Sequence, residues 1–115
     1  MRAAIFLLVL AVACAGTTPV TPDPVPNWVT SLAQQLAAEP VRNPPALIAR
    51  YEYQGRVVYY VPPRCCDVWS DLYEADGRLS CHPDGGLTGG GDGRCPDFLA
   101  QRKNELIIWR DSRSP

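Results

Sequence analysis

The sequence predicts a small α+β domain: one N-terminal amphipathic helix packed on a four- to five-stranded antiparallel sheet and closed by disulfides. Three observations lead there. One segment carries apolar residues at helical spacing. Two pairs of β-rich runs are separated by short turn signals. The connections are also too short for the helical crossovers that parallel strands need. The chain has 115 residues and five cysteines. At this size a hydrophobic core is marginal, and covalent staples become valuable.

Met1-Arg2 is a short basic start, and Ala3 through Ala13 is an unbroken apolar run. This is the layout of a secretory signal, and it is too short for a permanent membrane span. The expected mature chain begins at Cys14, because Ala11-Val12-Ala13-Cys14 resembles a bacterial lipobox in which the cysteine is lipidated. Multiple acyl chains on Cys14 would anchor the protein to a membrane. Lipidation also leaves an even set of four cysteines, Cys65, Cys66, Cys81 and Cys95. Ala15 lacks the aspartate that often retains such proteins in the inner membrane, so the outer membrane facing the periplasm is the expected location. Plain secretion is the alternative. Residues 14–26 then read as a tether, since Thr17–Pro26 holds four prolines. Such a segment is extended and stiff at about 3.1 Å per residue.

The single domain is expected over residues 27–110, with 111–115 as a flexible tail. Asn27 offers a helix N-cap, and Trp28, Val29, Leu32, Ala33, Leu36 and Ala37 fall on one face before Pro40 stops the helix. The helix is not basic, so a core-facing role fits better than a membrane-surface one. Ala46–Tyr53 and Arg56–Val61 form a hairpin around Gln54-Gly55. Val68–Tyr73 and Arg78–His82 form a second around Asp76-Gly77. Pro83–Arg94 is too rich in glycine and proline for a regular element. Pro96–Arg102 suggests a short helical turn, and Glu105–Arg110 a last strand.

The formal net charge is −1, with no basic block. This argues against a nucleic-acid partner, because phosphate binding needs clustered Lys and Arg. A monomer with no cofactor is expected.

The densest motif runs Pro62-Pro63-Arg64-Cys65-Cys66-Asp67, then Leu72-Tyr73, Gly77 and Cys81, then Pro83-Asp84-Gly85-Gly86, and finally Gly91-Asp92-Gly93-Arg94-Cys95-Pro96-Asp97-Phe98. With the preceding Tyr/Val hairpin it resembles, over about Tyr51 to Trp109, a family of small bacterial envelope lipoproteins known as a domain of unknown function. The resemblance implies domain limits and a cysteine set, and it supplies no substrate.

A bond between the adjacent Cys65 and Cys66 would close a strained ring. Two pairings are left open: 65–81 with 66–95, or 65–95 with 66–81. Metal binding by these cysteines and His82 is disfavoured, because tetrahedral zinc sites usually space their cysteines apart. His82 beside Cys81 is a poor catalytic pair, since adjacent side chains diverge and the thiol is consumed by a disulfide. Asp84, Asp92 and Asp97 could offer calcium hard oxygen ligands, but they fail the EF-hand pattern, and local turns explain them more simply.

The aromatic residues alternate along their strands, so some should face outward; core packing is the expectation for most of them, and an exposed ladder that recruits a ligand is the rival reading. Tyr60 and Trp69, with Asp67 nearby, are the binding candidates, for a protein, peptide or carbohydrate ligand. The expected function is a non-enzymatic binding or structural domain. The alternative is a peptidase inhibitor using the loop at Gln54-Gly55, Pro62–Asp67 or Asp84–Asp92. No nucleophile–base pair is legible, and an enzyme would require carboxylates among Asp67, Asp71, Glu74, Asp84 and Asp92 to converge.

Overall fold

A computed structural model describes residues 23–65 and 67–115. The signal segment, Cys14, most of the tether and Cys66 lie outside the described residues. Helix α1 spans Asn27–Ala38 and precedes five strands, β1 Leu47–Tyr53, β2 Arg56–Val61, β3 Asp71–Glu74, β4 Leu79–Cys81 and β5 Lys103–Arg110; a short helix α2, Phe98–Gln101, enters between β4 and β5. The sheet order is β4-β3-β2-β1-β5. Every strand pair is antiparallel.

Asn27 lies inside the helix, and Pro26 occupies the cap position without a side-chain hydrogen bond. The Pro26 carbonyl instead accepts the Val29 N–H at 3.0 Å. The apolar stripe is narrower than its spacing suggests: Val29 and Leu36 are buried, and Ala37 is exposed. Trp28 packs edge-on to Tyr59 at 5.3 Å and tilted on Tyr73 at 5.4 Å, and its indole N–H donates to the Ala75 carbonyl at 2.9 Å. One side chain thereby joins the helix to the first hairpin and to the turn of the second.

In the first hairpin Gln54 (φ 51°) and Gly55 (φ 75°) are both left-handed. That is the turn whose twist matches two paired strands. The β1–β2 register pairs Tyr51 with Val58 and Tyr53 with Arg56.

Alternation sends strand residues to two cores. On the α1 face, Ile48, Tyr59 and Val61 bury against Val29 and Leu36. On the other face, Ala49, Tyr51, Tyr53, Val58, Tyr60 and Leu72 bury with Cys81, Cys95 and Phe98. The two cores leave no outward aromatic ladder on β1 and β2. Tyr51, Tyr53, Tyr59 and Tyr60 are all buried. The glycine-rich segment and α2 form a third layer over the face that the sequence leaves open. Phe98, fully buried, meets Tyr51 and Tyr53 edge-on at 5.7 and 5.3 Å.

Cys81 and Cys95 are bonded to each other across 14 residues. This excludes both predicted pairings. The physical reason is burial: Cys81 ends β4 facing the second core, and the glycine loop returns Cys95 to that same cluster. Cys65 is disulfide-bonded as well.

The chain end is anchored rather than loose at Asp111 and Arg113. The Asp111 N–H donates to the Ala46 carbonyl at 2.8 Å. The Arg113 guanidinium binds the Asp111 carboxylate at 2.7 Å and the Glu39 carbonyl at 2.9 Å, just past the last turn of α1. The Arg113 side chain, through hydrogen bonds, holds the Asp111 carboxyl below its usual range.

Candidate functional site

The glycine-rich segment is a folded loop docked on the strip Val68–Ser70. Ser70 is fully buried. Its N–H donates to the Asp84 carbonyl at 2.9 Å, and its hydroxyl oxygen accepts the Asp84 N–H at 3.1 Å. The Gly86 N–H donates to the Val68 carbonyl at 3.2 Å, and the Asp92 N–H to the His82 carbonyl at 2.9 Å. Within the loop, Gly85 donates to the Gly89 carbonyl and Gly91 to the Gly85 carbonyl, both at 3.1 Å. A loop whose backbone groups are satisfied in this way is ordered without helix or strand.

Close approach explains two of its glycines. A Cβ on Gly91 would sit 1.9 Å from the His82 carbonyl oxygen, and one on Gly86 would sit 2.5 Å from the Trp69 indole nitrogen. The loop therefore lies in contact with the Trp69 ring and fixes its position. On another side Trp69 stacks against His82, with centroids 5.0 Å apart at 36°. The His82 Nδ1 lies 2.7 Å from the Ser70 carbonyl and 3.0 Å from the Asp71 carboxylate. Both neighbours accept, so the ring carries its proton on Nδ1.

Trp69 so held is still 46% exposed, and Leu87 at the loop tip is 89% exposed. With Asp67, Gly86, Thr88 and Gly91 they line a groove of about 380 Å³. Two of the three predicted binding residues, Asp67 and Trp69, thus share one surface. Tyr60 does not: it is buried, and its hydroxyl donates to the Asp84 carboxylate at 2.8 Å. Burial, then that hydrogen bond, pushes its phenol well above the usual range. Leu87 is the residue that sequence reasoning misses. A lone leucine among glycines carries no periodic signal, and only the folded loop reveals that no described residue covers it.

The calcium candidates are not brought together. Asp84 accepts from Tyr60. Asp92 accepts the backbone N–H groups of His82 at 3.1 Å and Arg94 at 2.9 Å. Burial works to raise the Asp92 carboxyl, but the N–H groups of Arg94 and His82 outweigh it and hold it low. Asp97 accepts from Tyr53 in a separate hollow beside Glu52, Gln101 and Lys103. No group of three or more His, Cys, Asp or Glu side chains among the described residues has metal-binding geometry. Of the carboxylates an enzyme would need to converge, Glu74 pairs with Arg56 at 2.8 Å and Asp71 with His82. Cys81 is spent in its disulfide.

Of the three loops considered for inhibition, Pro62–Asp67 and Asp84–Asp92 adjoin, since a Gly85 Cβ would lie 2.8 Å from Pro63. Gln54-Gly55 sits at the opposite end of the β1–β2 hairpin.

No curated protein and no solved structure matches this chain. A family model described as a domain of unknown function, DUF6970, matches residues 34–111, from within α1 to the anchored Asp111. The chain belongs to the DUF6970 family.

Proposed function

We propose that this protein is an exported, lipid-anchored bacterial envelope domain that acts by binding rather than catalysis, with the Asp67–Trp69–Leu87 groove as its contact surface. The observation that carries the export reading is the buried Cys81–Cys95 bond. Such cross-links persist in oxidising compartments and are rare in the cytosol. The apolar run ending at Cys14 supplies a route out and an attachment point. In this reading acyl chains on Cys14 hold the protein on the outer membrane, and the proline-rich tether lifts the domain off the lipid.

The groove pairs a half-exposed indole with an exposed leucine and a nearby carboxylate. A fixed aromatic face with polar neighbours suits a sugar ring or a peptide side chain. Little conformational entropy remains to be lost on binding, because the loop is already hydrogen-bonded and close-packed.

The export reading is tested by expressing the full chain in a bacterial host, fractionating the cells and taking intact mass before and after reduction. Membrane association, a mass increase from acylation and loss of both in Cys14→Ser are expected. A cytosolic, unacylated chain with Cys81 and Cys95 reduced would overturn it. The groove is tested by fluorescence titration against peptides and cell-wall oligosaccharides. A saturable change that disappears in Trp69→Phe is expected; no change with any ligand at millimolar concentration would remove the groove from the proposal.

A further inference from the structure

We infer that Arg42 and Arg64 form a binding site for a phosphate group, and that the Glu39 carboxylate holds the place that this phosphate takes. The two arginines come from separate parts of the chain. Arg42 belongs to the link between α1 and β1, and Arg64 to the segment after β2. With Pro40 and Asn43 they line a hollow of about 300 Å³.

Charge is the first reason to expect an anion there. The Arg42 and Arg64 guanidiniums both donate to one oxygen of Glu39, Oε2, with Arg42 at 2.9 Å. Two positive groups face one negative group, so the cluster keeps a surplus positive charge. Hydrogen bonds from Arg42 hold the Glu39 carboxyl below its usual range, which means that negative charge is favoured at this spot. The second reason is an unmet donor. Among the described residues, the Arg42 Nε is the one buried side-chain nitrogen or oxygen without a hydrogen-bond partner. Leaving such a group unpaired is costly, and native proteins seldom do so. A guanidinium grips an oxyanion through two parallel N–H bonds. Glu39 accepts from Nη2 of Arg42, and the Nε donor stays unmatched. The third reason concerns the end of α1, whose carbonyls would repel an anion. The Arg113 guanidinium faces them, at 2.9 Å from the Glu39 carbonyl and 3.5 Å from that of Leu36.

The chemistry selects phosphate over carboxylate. A ligand carboxylate has the charge and the two oxygens that Glu39 already supplies, so the exchange would gain nothing. A phosphate monoester carries about −1.5 to −2 charge at pH 7 and three strong acceptor oxygens. As the partly exposed Glu39 side chain swings out to water, one phosphate oxygen meets Arg64 and the others meet the Arg42 edge, Nε included. Without ligand, Glu39 keeps the two guanidiniums oriented. This inference does not depend on the export reading or on the Trp69 groove.

The test is isothermal titration calorimetry of the full chain, purified in detergent, with inorganic phosphate and with glycerol 3-phosphate. Saturable one-to-one binding at about millimolar concentration is expected. Arg64→Ala, at a half-exposed position, should weaken it at least about tenfold, through loss of a charge-assisted hydrogen bond. Glu39→Gln should tighten it at least about threefold, because the competing charge is gone. The two variants move affinity in opposite directions, which a general loss of fold cannot imitate. Tighter binding of glycerol 3-phosphate would assign the site to an esterified phosphate such as a lipid headgroup, and tighter binding of inorganic phosphate to the free anion. No saturation at tens of millimolar with either probe, in both the wild type and Glu39→Gln, would overturn the proposal. So would an affinity unchanged in Arg64→Ala, or binding lost in Glu39→Gln.

Discussion

Gly91 shows how one residue can govern the loop that builds the candidate site. Its φ is +63°, and a Cβ there would collide with the His82 carbonyl oxygen at 1.9 Å. Gly93 has a similar φ of +75°, but nothing lies within 4 Å of its Cβ position. The pair separates steric collision from backbone preference. Gly93→Ala should cost about 1 kcal/mol, the ordinary penalty of a left-handed alanine. Gly91→Ala should cost about 2–3 kcal/mol or more, because backbone must also move. Thermal melting should show a drop of roughly 5 °C for the first and 10–20 °C for the second. Equal losses would mean that the loop is not packed on His82 as described. The sequence marks both positions as turn glycines and cannot rank them, since the rank depends on a carbonyl nine residues away. Tyr60 carries the same lesson from the opposite direction. Its alternation with Tyr59 is plain in the sequence, but its burial depends on Asp84 arriving over it.

The decisive element is the segment 82–97, which joins β4 to α2. Read alone, its glycines and prolines exclude helix and strand, and that holds for most of its length. They do not exclude a fixed structure, and the segment closes the second core by delivering Cys95 beside Cys81. Removing the bond with Cys81→Ala and Cys95→Ala should destabilise the domain by about 3 kcal/mol, the loop-closure value for a ring of this length. The loss should appear in denaturant melts as a lower midpoint. Hydrogen exchange should rise first in residues 82–97, while the β1–β2 hairpin stays protected. Uniform loss of protection would show that the loop and hairpin unfold as one unit. The first hairpin was the most legible element in the sequence, because its strands and its two-residue turn are all local signals. The cysteine pairing was not legible. It depends on which buried face each sulfur meets, and that is a property of layers rather than of spacing.

At the scale of the whole molecule, ionisable groups set a pH range for stability. Hydrogen bonds from Arg42 lower the Glu39 carboxyl, and those from Arg56 lower that of Glu74. Asp92 and Asp111 are also held low. A carboxylate whose pKa is lower when folded stabilises above its unfolded pKa, and this contribution is lost as pH falls through the folded value. Stability should therefore decline below about pH 4. The phenols act at the other end. Burial, then hydrogen bonding to Glu105, pushes Tyr51 up to about 12, and burial raises Tyr53, Tyr60 and Tyr73 as well. Their contribution is complete below the unfolded phenol pKa of about 10 and is lost as pH rises through the folded values. A melting temperature flat between these limits and falling outside both is expected. Tyr51→Phe should shift the alkaline limb to higher pH. An alkaline limb unchanged in that variant would show that Tyr51 is not among the groups setting it.

The hairpins, the helix, the antiparallel arrangement and the two-faced alternation of the strands are all legible in the order of the residues. Each of these follows from residues within a turn or a few positions of one another. Only the folded loop and its layers settle the Cys81–Cys95 pairing, the burial of Tyr51, Tyr53, Tyr59 and Tyr60 and the exposure of Trp69 and Leu87. Those depend on where an aperiodic, glycine-rich loop comes to rest. Local chemistry gives such a loop freedom to bend, and its position is selected by the sheet face that it must cover.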